Sequence, residues 1–155
     1  MSFRAPRLSN PFLTFLIPFF TILTAHSATL YLEGRPISVQ EYHWGIVRQT
    51  DAQHRPQGGV LAGKISLVVD TLHHPVLDAW MADPRKCLSG ELVAHAADGL
   101  GTARRLRFVD ALCVNQGLTF LAGAGSRFAG SMSLLLSARE LHVNEGLAID
   151  NHWPG

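Results

Sequence analysis

The chain has 155 residues, a length that suits one domain with a proper hydrophobic core. Its 47% hydrophobic and 16% charged content excludes a disordered chain, even though an apolar N-terminal segment inflates the first figure. A formal net charge of +1, with no long run of one sign, argues against a nucleic-acid groove, which would show a basic face.

Arg4 and Arg7 precede an apolar run from Pro11 to Leu23, and Ala25-His26-Ser27 then sets small residues ahead of Ala28. This is the three-part layout of a secretory signal. A membrane-spanning helix needs about 20 apolar residues. The run here is shorter and holds Pro18 near its middle, so no stable membrane insertion is expected. An apolar arm that docks on a partner, or a translated stretch upstream of the true start, fits the same residues. Residues 1–27 are therefore set apart from a domain over residues 28–155.

"ATLYLEGRPISV" predicts two extended pieces around Glu33-Gly34-Arg35, with Gly34 free to adopt the positive φ of a tight hairpin. The second piece continues through Tyr42, Trp44 and Ile46, which alternate with Glu41, His43 and Gly45. Residues 49–59, "QTDAQHRPQGG", are polar and rich in Pro and Gly, and predict an exposed loop. Alternation resumes with Ile65, Leu67 and Val69 on one face and Lys64, Ser66 and Asp70 on the other. One helix is expected, at about 74–83: Pro75 suits its first turn, and Pro84 stops it. Val76, Leu77, Trp80 and Met81 share its inner face, and Trp80 and Met81 are assigned to the core. "GELVAHA", the turn Asp98-Gly99, "RRLRFVDALCVNQ" and "SMSLLLSARELHV" follow. In the last two, Leu106 and Phe108 alternate with arginines, and Met132, Leu134, Leu136 and Ala138 with serines. The expected fold is mainly β, an antiparallel barrel or sandwich of about six or more strands with one flanking α-helix.

The candidate chemistry is thin. Cys87 and Cys113 match no Cys-x-x-Cys spacing, and fit either one disulfide or two free thiols. Among the eight histidines, adjacent His73 and His74 diverge on a helix, and no His-Glu-x-x-His occurs, so no metal site is expected. His43 and His95 lie in strand patterns. "AGAGSRF" around Ser126 departs from a nucleophile elbow, because Phe128 replaces the second glycine and strands lie on both sides. "GGVLAG", residues 58–63, feeds a strand and lacks the Lys-Ser/Thr ending of a phosphate loop. Asp110 sits in a strand among apolar neighbours, which suits a buried or interface-paired carboxylate better than a catalytic acid. No catalytic residue and no cofactor are expected.

Several segments occur in the order seen in one known family. "RQTDAQHRPQGGVLAGKISLVVD" supplies Arg48, Asp51, Arg55, Pro56, Gly63, Ile65 and Leu67; "VLDAWM" supplies Leu77, Trp80 and Met81. "LRFVDALCV" supplies Phe108, Asp110 and Ala111, and "SLLLSARELHVNEG" supplies Ser137, Ala138 and Arg139. Together with "LYLEGRPISV" they make residues 29 to about 150 resemble the tube protein of the bacterial type VI secretion system, the Hcp (TssD) family, especially its Bacteroidetes group. The resemblance implies a β-barrel flanked by a helix, and a homohexameric ring with a wide channel. Rings would stack into a tube, wrapped by a contractile sheath, tipped by a spike and able to carry small effector proteins. It implies cytoplasmic assembly followed by secretion, and no enzymatic activity. Strands apolar on both faces, such as Leu135 beside Leu136, suit a subunit with one face in its core and one against neighbours.

Under that resemblance the expected subunit-interface residues are Asp51, Gln53, His54 and Arg55 on the polar loop, with Asp51 and Arg55 a candidate pair across the contact. Asp110 and Arg139 are further candidates, for which an intrasubunit salt bridge is the competing explanation. Family members begin close to the first strand, so the N-terminal segment stands out. An extended or misassigned start, or a docking arm, is favoured over a working signal peptide. With a working signal the chain would instead be exported or periplasmic, and a secreted or periplasmic β-sandwich binding module is the alternative function.

Overall fold

The computed structural model describes residues 27–96, 101–122 and 130–154. The apolar N-terminal segment up to residue 26 and the Ser126 segment lie outside the described residues. In chain order the elements are β1 (Ala28–Leu32), β2 (Arg35–Thr50), β3 (Pro56–Val69), α1 (Pro75–Ala82), β4 (Leu88–His95), β5 (Thr102–Phe120), β6 (Gly130–Val143) and β7 (Leu147–Asp150). The mainly β, antiparallel fold, with a single short helix among the described residues, agrees with the sequence. The seventh strand is additional: four residues after a tight turn are too few to carry a periodic signal.

All seven strands form one sheet in the order β3-β2-β1-β4-β5-β6-β7, and a further pairing of β3 with β6 closes the sheet into a ring. The β1–β2 turn begins the closure. Glu33 (φ 48°) and Gly34 (φ 74°) both take positive φ, the signature of a two-residue turn whose twist matches the strands it joins. The inward face is apolar throughout. Leu30, Leu32, Ile65, Leu67, Phe108 and Leu136 are essentially inaccessible. Each such side chain contributes about 1.5–3 kcal/mol relative to exposure. The period-two faces read from the sequence for β3 and β6 are the buried ones: Ile65, Leu67 and Val69, and Met132, Leu134, Leu136 and Ala138.

Helix α1 packs on β5. Leu77 and Trp80 are buried, and Trp80 donates its indole N–H to the Ala111 carbonyl at 2.9 Å. The indole stacks on Phe108 with ring centroids 6.3 Å apart. Met81, expected in the core with Trp80, is instead exposed at 39%. The reason is the narrowness of the buried stripe. At 100° per residue its centre lies between Leu77 and Trp80, which puts Val76 and Met81 at its two borders, each about 70° away.

The polar segment 49–59 also differs from expectation. β2 and β3 pair to the very end of the hairpin, with Arg48 opposite Val60, Gln49 opposite Gln57 and Thr50 opposite Pro56. Only residues 51–55 form the turn. Composition signals a loop here, but ladder hydrogen bonds are made by the main chain and tolerate polar side chains. Pro56 fits as the first residue of its strand, where a missing N–H is least costly. Since β1 pairs with β2 only as far as Val39, and β6 with β3 only as far as Lys64, the remainder of this hairpin is an arm that outruns the ring.

Candidate assembly surface

Four of the expected interface residues make up the tip of the arm. Asp51 organises it: its Oδ1 accepts the main-chain N–H groups of Gln53 and Arg55, both at 2.9 Å. Its Oδ2 accepts the Arg55 Nε–H at 2.9 Å. The Asp51 N–H also donates to the Arg55 carbonyl at 2.9 Å, and His54 takes the left-handed conformation (φ 61°) that this tight path needs. The Arg55 amide at Oδ1 is the chief reason the Asp51 carboxyl lies below its usual range, with the Gln53 amide and Arg55 guanidinium adding to it. Thus Asp51 and Arg55, candidates for pairing between subunits, pair with each other inside one tip. The ion pair is solvent-facing, so its effect is on the shape of the tip more than on global stability.

Asp110 and Arg139 face each other across β5 and β6, with Arg139 Nη2 2.8 Å from Asp110 Oδ2 and 3.3 Å from Glu140 Oε1. Both side chains are 43% exposed. The pair is intrasubunit, and half-exposed pairs of this kind contribute about 1 kcal/mol or less. Asp110 sits in a local irregularity of β5: its φ is 49°, its N–H donates to Ser89 Oγ at 3.0 Å, and the β4–β5 register shifts at this level. Asp is among the few residues that visit this conformation readily. Among the described residues no hydrogen bond or ion pair joins these two positions to the tip.

Sequence reasoning missed two apolar patches. On the arm, Val47 and Leu61 stand opposite each other and are 61% and 49% exposed, while Ile46, on the other face, is 44% exposed. At the far end of β5, Leu118, Phe120 and Leu121 are 61%, 66% and 63% exposed. In β5 the cause is geometric. β4 pairs with β5 only up to Ala111, and the strand runs on to Phe120 along β6 alone. The alternation read from the sequence covers only Leu106 and Phe108 in this strand, and it does not say where the covering layer stops.

Both cysteines are free, Cys87 exposed and Cys113 partly buried. Burial raises the Cys113 thiol pKa. His73 Nδ1 lies 2.8 Å from Asp78 Oδ2, while His74 caps α1 without a side-chain hydrogen bond. Among the described residues no three His, Cys, Asp or Glu side chains stand close enough to hold a metal ion, and no helix is long and apolar enough to cross a membrane. One surface groove is lined by Glu91, Arg105, Arg107, His142 and Glu145. Its Arg105 and Glu91 neutralise each other at 2.8 Å, which leaves an ordinary mixed-charge surface.

Solved structures share this architecture. Hcp1 from Flavobacterium johnsoniae superposes with a TM-score of 0.71 at 23% identity, covering 81% of this chain and 99% of its own. Hcp1 from Salmonella typhimurium gives 0.60 at 19% identity over 81% and 92% of the two chains. The secreted protein Hcp3 from Pseudomonas aeruginosa gives 0.54 at 12% identity over 84% and 100%. No curated protein sequence matches the chain. The fold is therefore the one shared by these Hcp structures. The sequence itself matches the profile of hemolysin coregulated protein Hcp (TssD) over residues 24–154, and the chain belongs to that family. It is a family of structural tube proteins, not of enzymes.

Proposed function

We propose that this chain is the repeating subunit of a type VI secretion tube, assembling as homohexameric rings that stack into a tube. The sheath drives it, the spike tips it, and small effector proteins ride in the channel. The observation that carries the reading is the pair of exposed apolar groups on different parts of one subunit, Val47 opposite Leu61 on one face of the arm and Leu118 with Phe120 at the end of β5. Two unlike patches favour heterologous, head-to-tail contacts, which generate rings when the rotation closes. The arm, tipped by Asp51, Gln53, His54 and Arg55, reaches toward the neighbouring ring, and the latched tip offers it a preformed shape. Asp110 and Arg139 hold each other in place at 2.8 Å where a neighbour's polar groups meet them. Residues 28–155 act as the assembling unit. Assembly takes place in the cytoplasm and the tube is then secreted.

Negative-stain electron microscopy of the purified full chain, with light scattering across a concentration series, tests this. Sixfold rings that pile into stacks are expected. A protein that stays monomeric at high concentration overturns the reading.

A further inference from the structure

Asn151 lies just past the end of β7 and does something its neighbours do not. The β3–β6 ladder stops at Lys64 opposite Ser137. One step further, where Gly63 would face Ala138, the side-chain amide of Asn151 is inserted between the strands. Its Oδ1 accepts the Ala62 N–H at 3.1 Å, and its Nδ2 donates to the Ala138 carbonyl at 2.9 Å. Its own N–H donates to the Arg139 carbonyl at 2.9 Å, which fixes the backbone from which the side chain projects. The amide thus accepts from one strand and donates to the other, as a peptide group would. It supplies the rung that the two strands no longer make directly.

The surroundings are shaped for this insertion. Gly63 has φ 143°, a conformation that side chains rarely adopt. A Cβ on Gly63 would overlap the Asn151 amide and stand 2.7 Å from the Ala138 carbonyl. The β2–β3 register shifts at the same level, between Trp44 and Ile46. Below this level Ile65, Leu67 and Val69 are buried in the ring, whereas above it Val60 and Leu61 belong to the arm. Trp153, two residues further along the tail, lines the groove at the arm's root with Val47, Leu61 and Lys64.

We infer that Asn151 is the pin that fixes the root of the β2–β3 arm to the ring and so sets the direction in which the arm projects. Asn151 is a positioning residue: it acts on assembly through the arm. The consequence for ring stacking rests on the tube reading above, whereas the effect on the arm itself does not.

The test is hydrogen exchange on the full chain, comparing wild type, Asn151→Ala and Asn151→Asp. Loss of both side-chain hydrogen bonds is expected to speed exchange roughly 10- to 30-fold in residues 46–50 and 56–62. The ladders of β1 with β4 and of β5 with β6 keep their wild-type rates. The carboxyl introduced by Asn151→Asp is the sharper probe, because its protonated form is a near-isostere of the amide. It can then donate to the Ala138 carbonyl and still accept from Ala62. Arm protection in this variant is expected to be lost at neutral pH and regained as the carboxyl protonates, a recovery that mere packing would not produce. Unchanged arm exchange in Asn151→Ala, or no recovery in Asn151→Asp while the ring ladders stay protected, overturns the pin. If Asn151→Ala loosens all ladders together, the acid recovery of Asn151→Asp decides. A loosened arm that still gives full-length stacks upholds the pin and counts against the arm's part in stacking.

Discussion

Replacing Trp80 by Phe is the most informative single perturbation of the subunit. The indole is buried to 1% exposure, stacks on Phe108 and holds the Ala111 carbonyl of β5 at 2.9 Å. Phenyl for indole removes about three ring atoms from a closed site, worth about 2 kcal/mol at roughly 0.8 kcal/mol per buried carbon. Losing the N–H removes a donor from a buried carbonyl, which costs about 1 kcal/mol more. Together these predict about 3 kcal/mol of destabilisation. A second substitution, Phe108→Leu, should show a coupling of about 0.5–1.5 kcal/mol with the first if the ring stack matters beyond area. Urea unfolding followed by far-UV circular dichroism measures both, at matched protein concentration so that self-association does not enter the difference. A cost below about 1 kcal/mol for Trp80→Phe would refute the idea that this side chain locks α1 to the ring.

Three further predictions address other levels. Leu118→Ser with Phe120→Ser should leave stability within about 0.5 kcal/mol of wild type, because both residues face solvent in the subunit, yet abolish ring formation in electron micrographs. Intact rings from the double variant would remove the β5 end from the assembly surface. Gly90→Ala should cost about 1–3 kcal/mol by overpacking, since a Cβ there would stand 2.7 Å from the Tyr31 carbonyl and from Phe108 Cζ; thermal melts read the loss. The Asp51 latch should be fully formed above the ordinary carboxylate pKa and be lost only as pH falls through its lowered value. Amide NMR shifts of Gln53 and Arg55 should therefore titrate with a midpoint below about 3.9. A midpoint at or above that would mean the tip hydrogen bonds are not made in solution.

What was legible in the sequence was the part governed by local rules. Period-two alternation located the inward faces of β3 and β6, and Pro75 and Pro84 bracketed α1 to within one or two residues. What was illegible depended on where one element stops covering another. Met81 follows the helical pattern as well as Val76 does, and only the width of the contact with β5 decides its exposure. Leu118 and Phe120 alternate like core residues, but their burial was decided by the length of β4. Asp51 and Arg55 were singled out as a pair across a subunit contact, while their joining within one turn follows from a backbone path that composition does not specify. Asn151 carried no signal at all, because its hydrogen-bond partners, Ala62 and Ala138, are distant in the sequence.

The closing contact between β3 and β6 has a consequence for how the chain comes into being. Residues 64–69 are made first, and their partners, 132–137, emerge only after β4 and β5 have been added. Until then β3 presents an unpaired edge beside β2 on a nascent sheet, the kind of surface that invites misassociation. Contacts this distant in the chain also make folding slow. Many copies translated together would thus hold open edges side by side. The pace of closure in each chain, set by the arrival of β6, governs how long those edges stay open.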